Sequence, residues 1–257
     1  LYDYVKNTYA LYSHQGIIEA LSIQVPEKFG KELYELVPKL QSDHEFILAF
    51  INSLIWRAPE SINLDKIKSY LEQEVFSYEG THDHFMETLI SLTSIENHPF
   101  NANFLHNMLI KLPLPKRDAY WTTFLKYKYS KESTFRQLID WAWSDNDKSH
   151  ISTHSLELIG TTLFWFLTSS NRELRDSTTK ALVNLLKRRM DVLISLMKKF
   201  ETIDDPYIMD RVYAVSLGCT LTTKETGSLK ELSEIVYASI FDKDQVYPHV
   251  LLRDYAR

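Results

Sequence analysis

Apolar residues recur along this chain at helical spacing, and three such patterns follow one another between Ser155 and Leu221. The first, Ser155 to Leu167, is apolar almost throughout and predicts a helix without a solvent face. The second begins at Asn171. It places Leu174, Ala181, Leu182, Leu185 and Leu186 on one side and Arg172, Glu173, Arg175, Asp176 and Lys180 on the other, the pattern of a helix lying on a neighbour. The third begins at Asp205-Pro206, a capping Asp followed by a Pro whose missing N–H costs nothing at the first helical position. The starts Asn171 and Asp205 are 34 positions apart, and Asp176 and Asp210 repeat that offset. Such a period predicts helical hairpins in tandem, as in HEAT, armadillo or TPR arrays.

The rest of the chain reads the same way. Leu1 to Ser13 and Gly16 to Ile23 form a first hairpin, and Pro26 separates it from a short helix over Gly30 to Val37. Asp43 caps a helix with the buried stripe Phe46, Ile47, Phe50, Ile51, Leu54 and Ile55. Leu64 to Phe76 follows with Ile67, Tyr70, Leu71 and Val75 inward, and Gly80 closes that unit. Thr81 to Ile95, Asn101 to Leu112, Lys116 to Tyr129, Ser133 to Trp143, Ser228 to Phe241 and Val250 onward complete the helices. Short connections favour antiparallel neighbours. The expected fold is therefore all-α, an irregular HEAT/armadillo-like α-solenoid of antiparallel helix pairs. Residues 1–257 make one array, with a subregion break in the polar stretch 144–150.

Composition agrees and narrows the chemistry. Six Gly and eight Pro among 257 residues are few for a β-rich or disordered chain. The net charge of −5 argues against a surface built mainly for phosphate backbones. No run approaches the roughly 20 apolar residues that span a bilayer, so no membrane role is expected. The lone cysteine, Cys219, lies in an apolar helical pattern; it excludes an internal disulfide and suits a reducing cytoplasm. The start Leu1-Tyr-Asp-Tyr has neither Met nor a basic leader, and the chain is expected to be a piece of a longer protein.

No Gly-rich phosphate loop, Gly-x-Ser-x-Gly elbow or His-Glu-x-x-His stands in the sequence. No catalytic residue, cofactor or metal is therefore assigned. His82 and His84 point to different helix faces, and His150 with His154 lacks further ligands for a tetrahedral site. The stretch Lys116-Arg117, Tyr120-Trp121 and Lys126-Tyr127-Lys128-Tyr129 has the composition of a single-strand nucleic-acid ridge. The plainer reading, with Trp121, Phe124 and Leu125 in the core, outweighs it. Lys187-Arg188-Arg189 ends its helix where positive charge suits the dipole. Trp141 and Trp143 are two residues apart, so a straight helix turns them to different faces. Packing of both against neighbouring helices outweighs the reading in which one of them anchors a partner.

Several segments together carry a resemblance. They are His98-Pro-Phe-Asn-Ala-Asn-Phe-Leu-His106, Leu112-Pro-Leu-Pro-Lys-Arg-Asp-Ala-Tyr-Trp121, Leu138-Ile-Asp-Trp-Ala-Trp143, the stretch Trp165 to Asp176, Asp204 to Ala214 and Leu251 to Ala256. From about residue 98 onward the chain resembles the helical-repeat region of large bacterial STAND (NACHT-like) ATP-binding proteins, a group that includes antiphage-defence ATPases. The resemblance implies a nucleotide-driven module elsewhere in a longer protein, with the helical array as sensor or scaffold. It transfers no catalytic residue, because the ATPase motifs fall outside this sequence.

The expected function is thus protein recognition by a non-catalytic array. Trp141, Trp143, Arg172 and Arg175 are the candidate partner-binding residues, since interface hot spots favour aromatic residues and Arg. A nucleic-acid-binding α-solenoid, using Lys116 to Lys128 and Lys187 to Lys199, is the alternative. An enzyme of helical fold ranks last.

Overall fold

The computed structural model describes residues 15–130, 132–223, 226–245 and 248–257. Every regular element among these is helical, and no strand occurs among the described residues. The expected helix over Leu1 to Ser13 lies outside them. The chain divides into two compact units, Leu1–Leu92 with Asn97–Asn101 and Thr93–Glu96 with Ala102–Arg257. The polar stretch 144–150, expected as a break between subregions, lies inside the second unit.

The first unit holds α1 (Gln15–Phe29), the single turn α2 (Leu33–Leu36), α3 (His44–Ser53), α4 (Leu64–Tyr70) and α5 (Glu79–Leu92). Helix α3 packs between α1 and α5. Asp43 caps α3 as anticipated, its carboxylate accepting from the Phe46 N–H at 2.9 Å. Phe46, Ile47, Phe50, Ile51 and Leu54 are buried, whereas Ile55 is exposed because α3 ends at Ser53. Pro26 does not separate two helices but sits in the last turn of α1. Gly30 ends that helix instead, at φ +63, with its N–H bonded to the Pro26 carbonyl at 2.9 Å. Gly80 lies in the first turn of α5 and closes nothing. A buried pair fastens the unit: Arg57 donates to both Glu32 carboxylate oxygens at 2.8 and 3.0 Å and to the Ser61 carbonyl at 2.9 Å.

The second unit holds α6 (Ala102–Leu109), α7 (Leu114–Arg117), α8 (Thr123–Lys128), α9 (Thr134–Trp143), α10 (Thr153–Phe166), α11 (Arg172–Leu186), α12 (Met190–Phe200), α13 (Pro206–Thr220), α14 (Thr226–Val236) and α15 (Val250–Ala256). A π turn over Asp118–Thr122 joins α7 to α8, and another over Tyr237–Phe241 extends α14. Pro113 and Pro115 start α7 as much as they stop α6. Ser133, Ser152, Asn171 and Asp205 each cap a helix through a side-chain oxygen that accepts from first-turn N–H groups. Helix α10 buries every residue from Leu158 to Phe166, as its apolar composition requires.

Helix α12 has no counterpart in the sequence reading. Its Lys198 and Lys199 belonged there to a basic ridge, yet Met190, Val192, Leu193, Ile194, Leu196, Met197 and Phe200 are all buried. With α12 in place the helices of this unit fall into two rows. In one, α10 packs on α6, α12 on α10 and α14 on α12; in the other, α11 packs on α9, α13 on α11 and α15 on α13.

Helices α9, α11 and α13 run parallel within their row. Arg136 near the start of α9 meets Glu173 near the start of α11 at 3.5 Å, and the Asn184 amide near the end of α11 reaches the Trp143 carbonyl at 2.8 Å. Arg211 of α13 meets Asp176 of α11 at 2.8 Å, and the Cys219 thiol lies 3.8 Å from the Val183 carbonyl. The 34-residue offset between Asn171 and Asp205 is thus the distance between the caps of two parallel row neighbours. Two glycines permit close approach. A Cβ on Gly160 would collide with Leu196 Cδ1, and one on Gly218 would stand 2.6 Å from Val183 Cγ2.

Candidate partner-binding surface

Helix α9 turns Phe135, Ile139 and Ala142 into the core. Trp141 is left half-buried and Trp143 is 42% exposed. Each indole has a lysine over it: the Lys148 ammonium lies 5.4 Å from the Trp141 ring and the Lys180 ammonium 5.3 Å from the Trp143 ring. The end of α9 leaves carbonyls that need donors. Asn184 supplies its amide to the carbonyls of Trp143 at 2.8 Å and Ser144 at 3.0 Å. Lys148 adds its ammonium to the Ser144 carbonyl, and also to the Ser144 hydroxyl and the Asn146 carbonyl, both at 3.3 Å. Positive charge at a helix C-terminus is favourable. Burial lowers the pKa of this amine, Asp145 opposes that shift and Lys187 adds to it.

Beside this helix end a cleft of about 490 Å³ opens between residues 144–149 and 184–189. Leu156 and Leu185 contribute its apolar floor, and Lys187, Arg188 and Arg189 line it with Asp145 and Asp147. The cations are not equally available. Arg189 donates to the Thr153 hydroxyl at 2.5 Å and to Asp191 at 3.4 Å. Lys187 spends one donor on the Asn184 side-chain oxygen at 2.6 Å. No hydrogen bond or salt bridge to a described residue holds Arg188, which is exposed. The N–H and hydroxyl of Ser149, both at 2.9 Å from the Asp147 carboxylate, hold its pKa below the usual range.

None of Trp141, Trp143, Arg172 and Arg175 lines this cleft; Trp143 immediately precedes its first residue, Ser144, whereas Arg172 and Arg175 lie at the other end of α11. The reason is the parallel alignment of α9 and α11. The C-terminal tryptophans of α9 meet the C-terminal half of α11, where Lys180 lies eight residues, about 12 Å of helix, beyond Arg172. Arg175 is already engaged: it donates to the Ser169 carbonyl and lies 4.7 Å from the Tyr207 ring centroid. Arg172 reaches Asp176 at 3.4 Å. Burial raises the pKa of Asp176, but Arg211 and then Arg172 outweigh that effect and hold the carboxyl ionised.

The basic-aromatic segment divides between core and surface. Trp121 is buried, donates to the Trp165 carbonyl at 3.0 Å and stacks on Phe166. Arg117 is buried too and donates to the Asp204 carbonyl at 2.6 Å and to Asp205 at 3.3 Å. Burial raises the pKa of Asp205, opposed by the Ile208 N–H, by Arg117 and by the Tyr207 N–H. Nothing in the sequence marked Arg117 as the buried member of a basic run. Tyr120 and Tyr127 remain exposed, with Lys126 over the Tyr127 ring at 5.5 Å.

The histidines have ordinary partners. His84 bonds Asn52 at 2.7 Å, His98 bonds the Leu54 carbonyl at 3.1 Å, and His82 meets Asp83 at 3.4 Å. Among the described residues no group of three His, Cys, Asp or Glu is placed to hold a metal ion, and no helix is long and apolar enough to cross a membrane. Comparison of the chain with protein-family models, with curated proteins and with solved structures gives no match.

Proposed function

We propose that this chain is a non-catalytic helical-repeat region that recognises a protein partner. It would do so as the sensing or scaffolding arm of a larger bacterial STAND-type ATPase, in cytoplasmic antiphage defence. The observation that supports this most is the pair of rows in the second unit, α6–α10–α12–α14 and α9–α11–α13–α15. Successive helices falling into alternate stacked rows fit a HEAT/armadillo-like α-solenoid, whose use is an extended docking surface. In support of a protein interface, the end of α9 offers an exposed aromatic side chain, Trp143, on a helix end fixed by Asn184 and Lys148.

A nucleic-acid reading has one observation in its favour, the exposed Tyr120 and Tyr127 with Lys126. Against it stand the burial of Arg117 and Trp121 in the same segment and the net charge of −5. Titration of the chain with random single-stranded DNA and RNA at several salt concentrations separates the two. A phosphate binder weakens steeply as salt rises. Our reading predicts no affinity of that kind, and tight, strongly salt-dependent binding would replace it with the nucleic-acid alternative. The chain is also expected to gain no thermal stability from ATP, because a ligand of the folded state must raise apparent stability by mass action.

A further inference from the structure

The cleft beside α9 has a charge pattern that selects among protein partners, and this step rests on the protein-recognition reading above. Four cations line it, Lys148, Lys187, Arg188 and Arg189, but two of them are committed. Lys148 is spent on the Ser144 and Asn146 carbonyls, and Arg189 on Thr153 and Asp191. That leaves Lys187, with donors to spare beyond Asn184, and the exposed Arg188. A further exposed cation, Lys180, lies over Trp143. Between these charges the floor is apolar, Leu156 and Leu185. Asp145 and Asp147 line the cleft as well, Asp147 held ionised by the Ser149 N–H and hydroxyl with a smaller contribution from Arg188.

A continuous polyanion fits this arrangement poorly. A phosphate backbone carries charge at every step and would meet the two aspartates as well as the cations. A free phosphate would use the cations and leave the apolar floor uncovered. An acidic peptide segment meets all three features: its carboxylates pair with Lys187, Arg188 and Lys180, an apolar side chain covers Leu156 and Leu185, and its backbone N–H groups face the aspartates. Arg clusters are the usual readers of acidic motifs, and guanidinium–carboxylate pairing adds geometry to charge. We infer that the cleft lined by Lys187, Arg188, Leu156 and Leu185 binds an acidic segment of the partner protein, two or more carboxylates flanking one apolar side chain, with Trp143 at its edge.

The probe is a fluorescein-labelled peptide Glu-Glu-Leu-Glu-Glu, compared with Gln-Gln-Leu-Gln-Gln and with an oligothymidylate of equal charge, all titrated into the purified chain. The acidic peptide is expected to bind at least tenfold more tightly than its Gln counterpart. The double variant Lys187→Glu/Arg188→Glu is expected to remove that preference, whereas Lys116→Glu changes it less than twofold. Lys187 is the C-cap of α11 and Arg188 follows it; the double variant is compared with the parent protein by circular dichroism, so that a loss of helix content is told apart from a loss of binding. Equal binding of the Glu and Gln peptides overturns the inference, as does a preference that survives charge reversal or tighter binding of the oligothymidylate at the same residues. If both peptides bind equally and Trp143→Ala weakens both, only the acidic preference falls. If neither peptide is weakened by Trp143→Ala or by charge reversal, the site itself falls.

Discussion

Single side chains in the core set how this protein responds to acid. His106 is buried against Phe200 and accepts the Trp165 indole N–H at its Nδ1, 3.3 Å away. Burial, with the neighbouring Lys199 adding to it, drops its pKa from 6.5 to about 4. The unfolded chain therefore takes up a proton near pH 6.5 that the folded chain refuses until about 4. Stability falls as pH drops through that window, by up to about 3 kcal/mol once both forms are protonated. Denaturant unfolding at pH 7 and pH 4.5 measures this, with His106→Gln expected to flatten the profile while keeping an acceptor for Trp165. Parallel profiles for the two proteins would assign the acid sensitivity elsewhere. None of this was legible in the sequence. His106 stands in a helical pattern like any other histidine, and only the arrival of α10 and α12 around it buries the ring. Arg117 is the same case: its partner Asp205 was recognisable as a cap, but not as the acceptor for a guanidinium 88 positions away.

At the scale of elements the sequence was most informative where the period of apolar residues and a cap coincide. Asn171 and Asp205 are caps in the structure as in the sequence, and Leu174, Ala181, Leu182, Leu185 and Leu186 face inward as their spacing requires. Leu182→Ala should cost roughly 2–5 kcal/mol, because a fully buried leucine leaves a cavity. Arg172→Ala should stay within about 0.5 kcal/mol, since its ion pair with Asp176 is solvent-exposed. Equal losses in a denaturation series would mean that α11 presents another face to its neighbours. Helix α12 was missed because its apolar residues follow a basic run and carry no side-chain cap. The helix glycines also escaped the sequence, since close approach depends on the neighbouring helix. Gly218→Ala should destabilise by about 1–3 kcal/mol, because the new Cβ meets the stiff, β-branched Val183. Gly160→Ala should be nearer neutral. There the obstacle is the tip of the flexible Leu196 side chain, and alanine recovers about 1 kcal/mol of helix propensity. Comparable losses at both glycines would contradict this account of the two contacts.

At the scale of the whole molecule, the all-α class was readable from periodicity alone. The two-row arrangement of the second unit was foreshadowed only by the 34-residue offset. The candidate surface was half legible: the tryptophans stood out by type, but their neighbours did not. Chain order after the 144–150 loop suggests Arg172 and Arg175 as companions of Trp143, whereas the parallel packing of α9 and α11 brings Lys180 and Asn184 to it instead. The proposed recognition of a partner passes through Trp143. If this chain belongs to a longer ATPase as proposed, partner-stimulated ATP hydrolysis by that protein is the decisive measurement, with Trp143→Ala compared against Trp56→Ala, an exposed tryptophan of the first unit. Trp143→Ala is expected to lose at least tenfold of the stimulation at unchanged basal rate, and Trp56→Ala to keep it. Full stimulation in a folded Trp143→Ala protein would contradict recognition through Trp143.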